Sequence, residues 1–154
     1  MGLKTKIEED IKKAMLAKEK DRLTALRSIK ALILLEETKE GRKGGAELTE
    51  AEEIQILSKG AKQRRESAEI FQTQNRPELA EKELAELAVI ELYLPKQLSE
   101  SELREKITAI ITRIGASSPA DMGKVMGVAS KELAGQADGK AISEMVKEVL
   151  SKAP

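Results

Sequence analysis

A chain of 154 residues with 27 Lys and Arg against 27 Asp and Glu has no formal net charge. That balance weighs against a strong free-standing nucleic-acid binder, whose affinity rests mostly on phosphate neutralisation. The absence of histidine and cysteine excludes imidazole bases, thiol nucleophiles, ordinary zinc sites and disulfides, so neither metal nor cofactor is expected. With one Phe, one Tyr and no Trp, the core must be built from Leu, Ile, Val, Met and Ala, and single-stranded bases would find little to stack on. Few β-branched runs and few hairpin signals point to an all-α fold.

The first residues, M-G-L-K-T-K-I-E-E-D, are charged rather than apolar, and Lys6 stands where a myristoylation signal needs Ser or Thr. No later segment reaches the roughly 18 uninterrupted apolar residues of a membrane span. No membrane association is expected, and the expected location is the cytoplasm. Leu3, Ile7, Ile11 and Met15 recur at nearly four-residue spacing and mark a first helix. Asp21 is a candidate cap for a second helix running to about Lys39, whose apolar face holds Leu23, Leu26, Ile29 and Ile33. Lys30 falls inside that stripe, so it must reach out to solvent, find a carboxylate or serve a ligand. Arg27, Lys30 and Lys62 form a candidate anion site.

The stretch Gly41-Arg42-Lys43-Gly44-Gly45 lacks the terminal Lys-Ser/Thr pair and the preceding strand of a P-loop, and reads as a helix connection. Thr49 and Glu52 form a capping box opening a third helix to about Gln74. Its stripe of Ile54, Leu57, Ala61, Ala68 and Phe71 is interrupted by Arg64 and Arg65. Pro77 leads into a fourth helix with Leu84, Leu87 and Leu94 on its apolar side and Glu83 and Glu91 close by. These two helices can pair across their contact, with Arg64 or Arg65 bonded to Glu83 or Glu91.

Pro95 breaks the fourth helix, and Pro95 to Leu98 reads as a hinge between an N-terminal domain over 1–95 and a C-terminal domain over 96–154. Ser99 and Glu102 form a second capping box, opening a helix lined by Leu103, Ile107, Ile110, Ile111 and Ile114 and ended by Gly115. Ser118, Pro119 and Asp121 start the next helix, expected from Pro119 to about Ala134. Gly135 suits the left-handed position that ends it, and Asp138 can cap a last helix to about Lys152. Met122, Val125, Met126, Ala129 and Leu133 share the face expected to be buried. Gly123, Gly127, Ser130 and Ala134 make a separate stripe of small residues with Lys124 and Lys131 beside it. A glycine inside a helix costs about 1 kcal/mol relative to alanine, so the pair suggests close approach of another surface, either a packed helix or a phosphate backbone.

These residues carry a resemblance. D-M-G-K-V-M-G and G-Q-A-D-G-K in the tail, with R-L-T-A-L-R-S-I-K-A-L-I, K-Q-R-R-E-S and Y-L-P-K-Q-L-S-E-S-E-L upstream, resemble the YqeY family. Its stand-alone members share their tail domain with GatB, a subunit of the glutamine-dependent tRNA amidotransferase. The resemblance implies a four-helix YqeY-type N-terminal domain and a three-helix tail. It also implies a link to tRNA-dependent amidation under the label of carbon–nitrogen ligase with glutamine as amido-nitrogen donor. The partners it implies are tRNA or another structured RNA, or a protein of the translation machinery. The residues show no nucleotide loop and no nucleophile with a positioned base. The expected function is therefore a non-catalytic tRNA-associated protein, with assistance to catalysis left open. Gly123, Lys124, Gly127, Lys131 and Lys140 are its candidate RNA-binding residues. The competing reading is a helical protein–protein adaptor that uses the same stripe with no RNA.

Overall fold

The computed structural model describes residues 2–39, 41–42 and 47–152, and all regular structure among them is helical. The chain divides into two compact units, Met1–Pro95 and Lys96–Pro154.

In the N-terminal unit, α1 (Leu3–Leu16) pairs with α2 (Lys20–Glu37), and α3 (Glu50–Thr73) pairs with α4 (Pro77–Glu91). Helix α2 packs on all three of the others. Ile7, Leu26, Ile29, Ile33, Leu57, Leu87 and Ile90 form the core, each contributing about 1.5–3 kcal/mol relative to exposure. Small residues let the helices close on one another. At Gly60 of α3 an added Cβ would stand 3.1 Å from Leu32 Cδ1 of α2.

Both hairpin turns use left-handed residues. Lys18 has φ 58° and Asn75 has φ 59°, the latter a residue type that tolerates this region. In the first turn the Glu19 amide donates to Ala14 O at 3.0 Å. This tight return starts α2 at Lys20, with Glu19 rather than Asp21 at the N-cap. Asp21 lies instead in the first turn, where its charge still favours the helix dipole.

The capping box at Thr49 and Glu52 forms in both directions, Glu52 N to Thr49 Oγ1 at 3.2 Å and Thr49 N to Glu52 Oε1 at 3.1 Å. Arg42 bonds the same carboxylate and also donates to Glu47 O at 3.1 Å. The Arg42 hydrogen bond, followed by the backbone bond at Thr49, holds the Glu52 carboxyl down to about 2. Within the segment read as a helix connection, Gly41 takes φ 88°, and Lys43, Gly44 and Gly45 lie outside the described residues. A second tie closes the far end of α4. Tyr93 donates a hydrogen bond to Asp10 of α1, and Lys6 Nζ lies 5.5 Å from its ring centroid.

In the C-terminal unit, α5 (Glu100–Ile114), a 3-10 turn (Pro119–Asp121), α6 (Met122–Glu132) and α7 (Gly139–Ser151) enclose a separate aliphatic core. Ile107, Val125, Ala129 and Val146 are fully buried there. The Ser99–Glu102 capping box is reciprocal, and Gly115 and Gly135 take φ 72° and 76°. Ser118 heads a 3-10 turn rather than a full α-turn. The Asp121 carboxylate accepts from Ser117 N at 2.9 Å and Ser118 N at 3.3 Å, and these backbone bonds lower its pKa. The segment that enters the unit is fastened to the α6–α7 connection, with Leu98 N to Gln136 O at 2.9 Å and Gln97 Nε2 to Gly135 O at 2.6 Å.

Two outcomes check this account. Ser99→Ala is expected to lower the stability of the C-terminal unit by about 1 kcal/mol through loss of the cap, read as a lower urea midpoint at unchanged slope. The second concerns the single tyrosine of the chain. Burial first, and then the bond to Asp10, push the Tyr93 phenol up to about 12, whereas an unfolded tyrosine titrates near ~10. The raised value means that this contribution to stability is complete below pH ~10 and is lost as pH rises from there towards 12. Tyrosinate absorbance read immediately after a pH jump is expected to show the high midpoint for folded protein and the ordinary one in urea. Asp10→Asn should lower the folded midpoint, and an ordinary midpoint in the folded protein would contradict the buried bond.

Candidate functional site

The face of α6 expected to be buried is buried. Val125, Ala129 and Leu133 lie in the core, with Met122 and Met126 packed against it from the edge. The small-residue stripe on its other side faces solvent, and Gly123 and Gly127 have open space where a Cβ would stand. Lys124, Lys131 and Lys140 are exposed, but each has an ordinary place in the fold. Lys124 sits near the Asp121 carboxylate and helps lower its pKa. Lys131 stands in the last turn of α6, where a cation complements the helix dipole. Lys140 is the second residue of α7. The neighbouring Glu132 is engaged by Arg113 of α5.

The residues of the candidate anion site lie on two helices. Arg27 on α2 and Lys62 on α3 are exposed. Lys30 finds a carboxylate, Glu8 of α1 at 3.6 Å, one of the outcomes its place in the apolar stripe required. Arg64 meets two acids of α4, with Nη1 3.3 Å from Glu83 and Nε 3.0 Å from Glu86. The buried face of α4 runs through Ala80, Leu87 and Ile90, and Leu84 is exposed. This rotation brings Glu83 and Glu86, rather than Glu91, opposite α3. Among the described residues no charged or polar side chain is fully buried. No group of His, Cys, Asp or Glu there has the arrangement to hold a metal ion.

Comparison with known proteins identifies the family to which this helical scaffold belongs. The profile of the YqeY-like proteins matches residues 4–150. The chain belongs to that family. Curated relatives of this YqeY-like chain include three yeast proteins, each called altered inheritance of mitochondria protein 41, mitochondrial. That of Clavispora lusitaniae is 38% identical over 118 residues, covering 75% of this chain and 66% of the relative. The Lachancea thermotolerans protein is 34% identical over 115 residues, covering 73% and 60%. The Kluyveromyces lactis protein is 30% identical over 139 residues, covering 88% and 69%. The aligned part thus spans between 60% and 69% of these relatives' length.

These relatives correct two expectations. Their names point to the inheritance of mitochondria and not to a tRNA-related role, which overturns the expected function as a tRNA-associated protein. The balanced charge of the chain had already left that expectation with a weak electrostatic footprint. The expected cytoplasmic location is overturned by the same names. No helix among the described residues is long and apolar enough to cross a membrane, which does not tell cytosol from organelle.

The Arg64 cluster yields a prediction. Arg64→Glu places three acids together in a half-buried contact and is expected to destabilise the N-terminal unit by about 1–3 kcal/mol. Adding Glu83→Arg should recover part of the loss in a double-mutant cycle. Additive effects of the two changes would show that the pair is not coupled.

Proposed function

We propose that this YqeY-like protein serves as a protein-binding component in the maintenance of mitochondria, in the role of the yeast relatives it resembles. The observation that carries the reading is the extent of that similarity. One alignment takes in 88% of the chain, too much to come from either helical unit by itself. A protein partner, rather than a polyanion, suits a chain whose formal charges cancel. The N-terminal unit also leaves large apolar side chains in solvent. Leu16, Leu35 and Leu92 are 86%, 71% and 68% exposed, and these are the apolar side chains of the unit that a partner would cover.

Complementation tests the reading. In Kluyveromyces lactis cells lacking the related protein, the chain directed to mitochondria by an added leader is expected to restore normal mitochondrial inheritance. A variant with Leu16, Leu35 and Leu92 all changed to Asp, shown to keep its helical content, should accumulate in the organelle but fail to restore it. Accumulation of the unaltered chain without any restoration would contradict the proposal.

A further inference from the structure

A groove of about 420 Å³ runs between α5 and α7, a size within the range of small-molecule sites. Helix α5 lines it with Arg104, Thr108, Ile111 and Thr112, and Val149, Lys152 and Ala116 complete its wall. Its two charged lining residues are both cations, and they converge on one atom. Arg104 Nη2 lies 2.9 Å and Lys152 Nζ 3.1 Å from Glu148 Oε1. One carboxylate faces two cations, so a single positive charge is left in excess at that end.

Apart from the hydroxyls of Thr108 and Thr112, the rest of the groove is apolar. Ile111 is buried in the core beneath it, and Ala116 and Val149 pack against the same core. Thr112 commits its hydroxyl hydrogen to the Thr108 carbonyl at 3.0 Å, so it has no donor left for a ligand. Arg104, Thr108 and Thr112 follow one another at single-turn intervals, which sets the cationic end about 12 Å along the helix from Thr112.

We propose that this groove binds a small amphipathic monoanion, a carboxylate on an unbranched hydrocarbon chain, with its head at Arg104 and Lys152 and its chain over Ile111, Ala116 and Val149. The planar guanidinium matches a carboxylate with paired donors. One negative charge balances the excess, whereas a dianion would set surplus charge beside Glu148. Burial of the hydrocarbon supplies the remaining affinity. The proposal rests on the groove alone and is independent of the mitochondrial role.

Amide-resolved NMR titration of the full chain tests it, with decanoate, decyltrimethylammonium and acetate as probes. Decanoate is expected to saturate, with shifts concentrated on Thr108, Thr112 and Val149. Decyltrimethylammonium, with the same chain and the opposite charge, and acetate, with the head alone, should not saturate. Arg104→Gln should weaken decanoate roughly tenfold, the effect of losing one charge-assisted hydrogen bond. Glu148→Gln should tighten it by removing the competing carboxylate. Ala116→Leu, which leaves the cations in place and fills the apolar end, should also weaken it. Equal binding of the two ten-carbon probes, shifts centred outside α5 and α7, or affinity unchanged by both Arg104→Gln and Ala116→Leu would overturn the proposal. The probe comparison on the unaltered chain decides the matter even where a substitution impairs folding.

Discussion

Close packing of aliphatic side chains is the interaction on which the rest of this protein depends. Without tryptophan, and with one phenylalanine and one tyrosine, neither unit has an aromatic ring among its buried core residues. Stability must then come from many branched side chains in mutual contact, so the helices have to approach one another closely. Alanines at positions 14, 61, 80 and 129 in buried contacts, and Gly60 against Leu32, are where that approach occurs. Polar groups work at the perimeter. The capping boxes at Thr49 and Ser99 fix where helices begin, and Arg64 and Arg113 tie neighbouring helices at their edges.

Local signals in the chain were legible wherever the physics was local. Thr49 with Glu52, Ser99 with Glu102, and Gly115 and Gly135 act within one helical turn of themselves, and each sits where its chemistry requires. The apolar face of α6 followed from periodicity alone. Where tertiary geometry decides, the reading shifted. Helix α2 starts at Lys20 because the preceding turn is tight, and α4 presents Ala80, Leu87 and Ile90 in place of Leu84. The hydrogen bond from Tyr93 to Asp10 and the ion pair of Arg104 with Glu148 join residues 83 and 44 positions apart. No spacing rule brings such pairs together before the fold is known. The only trace of the α5–α7 groove in the sequence is Arg104, Thr108 and Thr112 at single-turn intervals.

Function was legible only as far as the family. The motifs identify a YqeY-like chain, and the matched profile bears that out. The resemblance to the amidotransferase tail, however, led towards tRNA and the cytoplasm, while the curated yeast relatives are named for mitochondria. A resemblance at the level of a scaffold leaves partners open, because they are set by exposed side chains. In this chain the side chains proposed for that role are the leucines of the N-terminal unit and the cations beside the α5–α7 groove, and neither follows from the apolar pattern of the cores.

Native-state hydrogen exchange at low denaturant tests most directly whether aliphatic packing, rather than polar fastening, holds the protein together. The slowest amides are predicted to lie around Leu26, Ile29 and Ile33 of α2 and around Ile107, Ile111 and Val146 of the C-terminal unit, all of them core residues. If the greatest protection fell instead at the capped helix starts near Thr49 and Ser99 and around the ion-paired Arg64, the account would be contradicted.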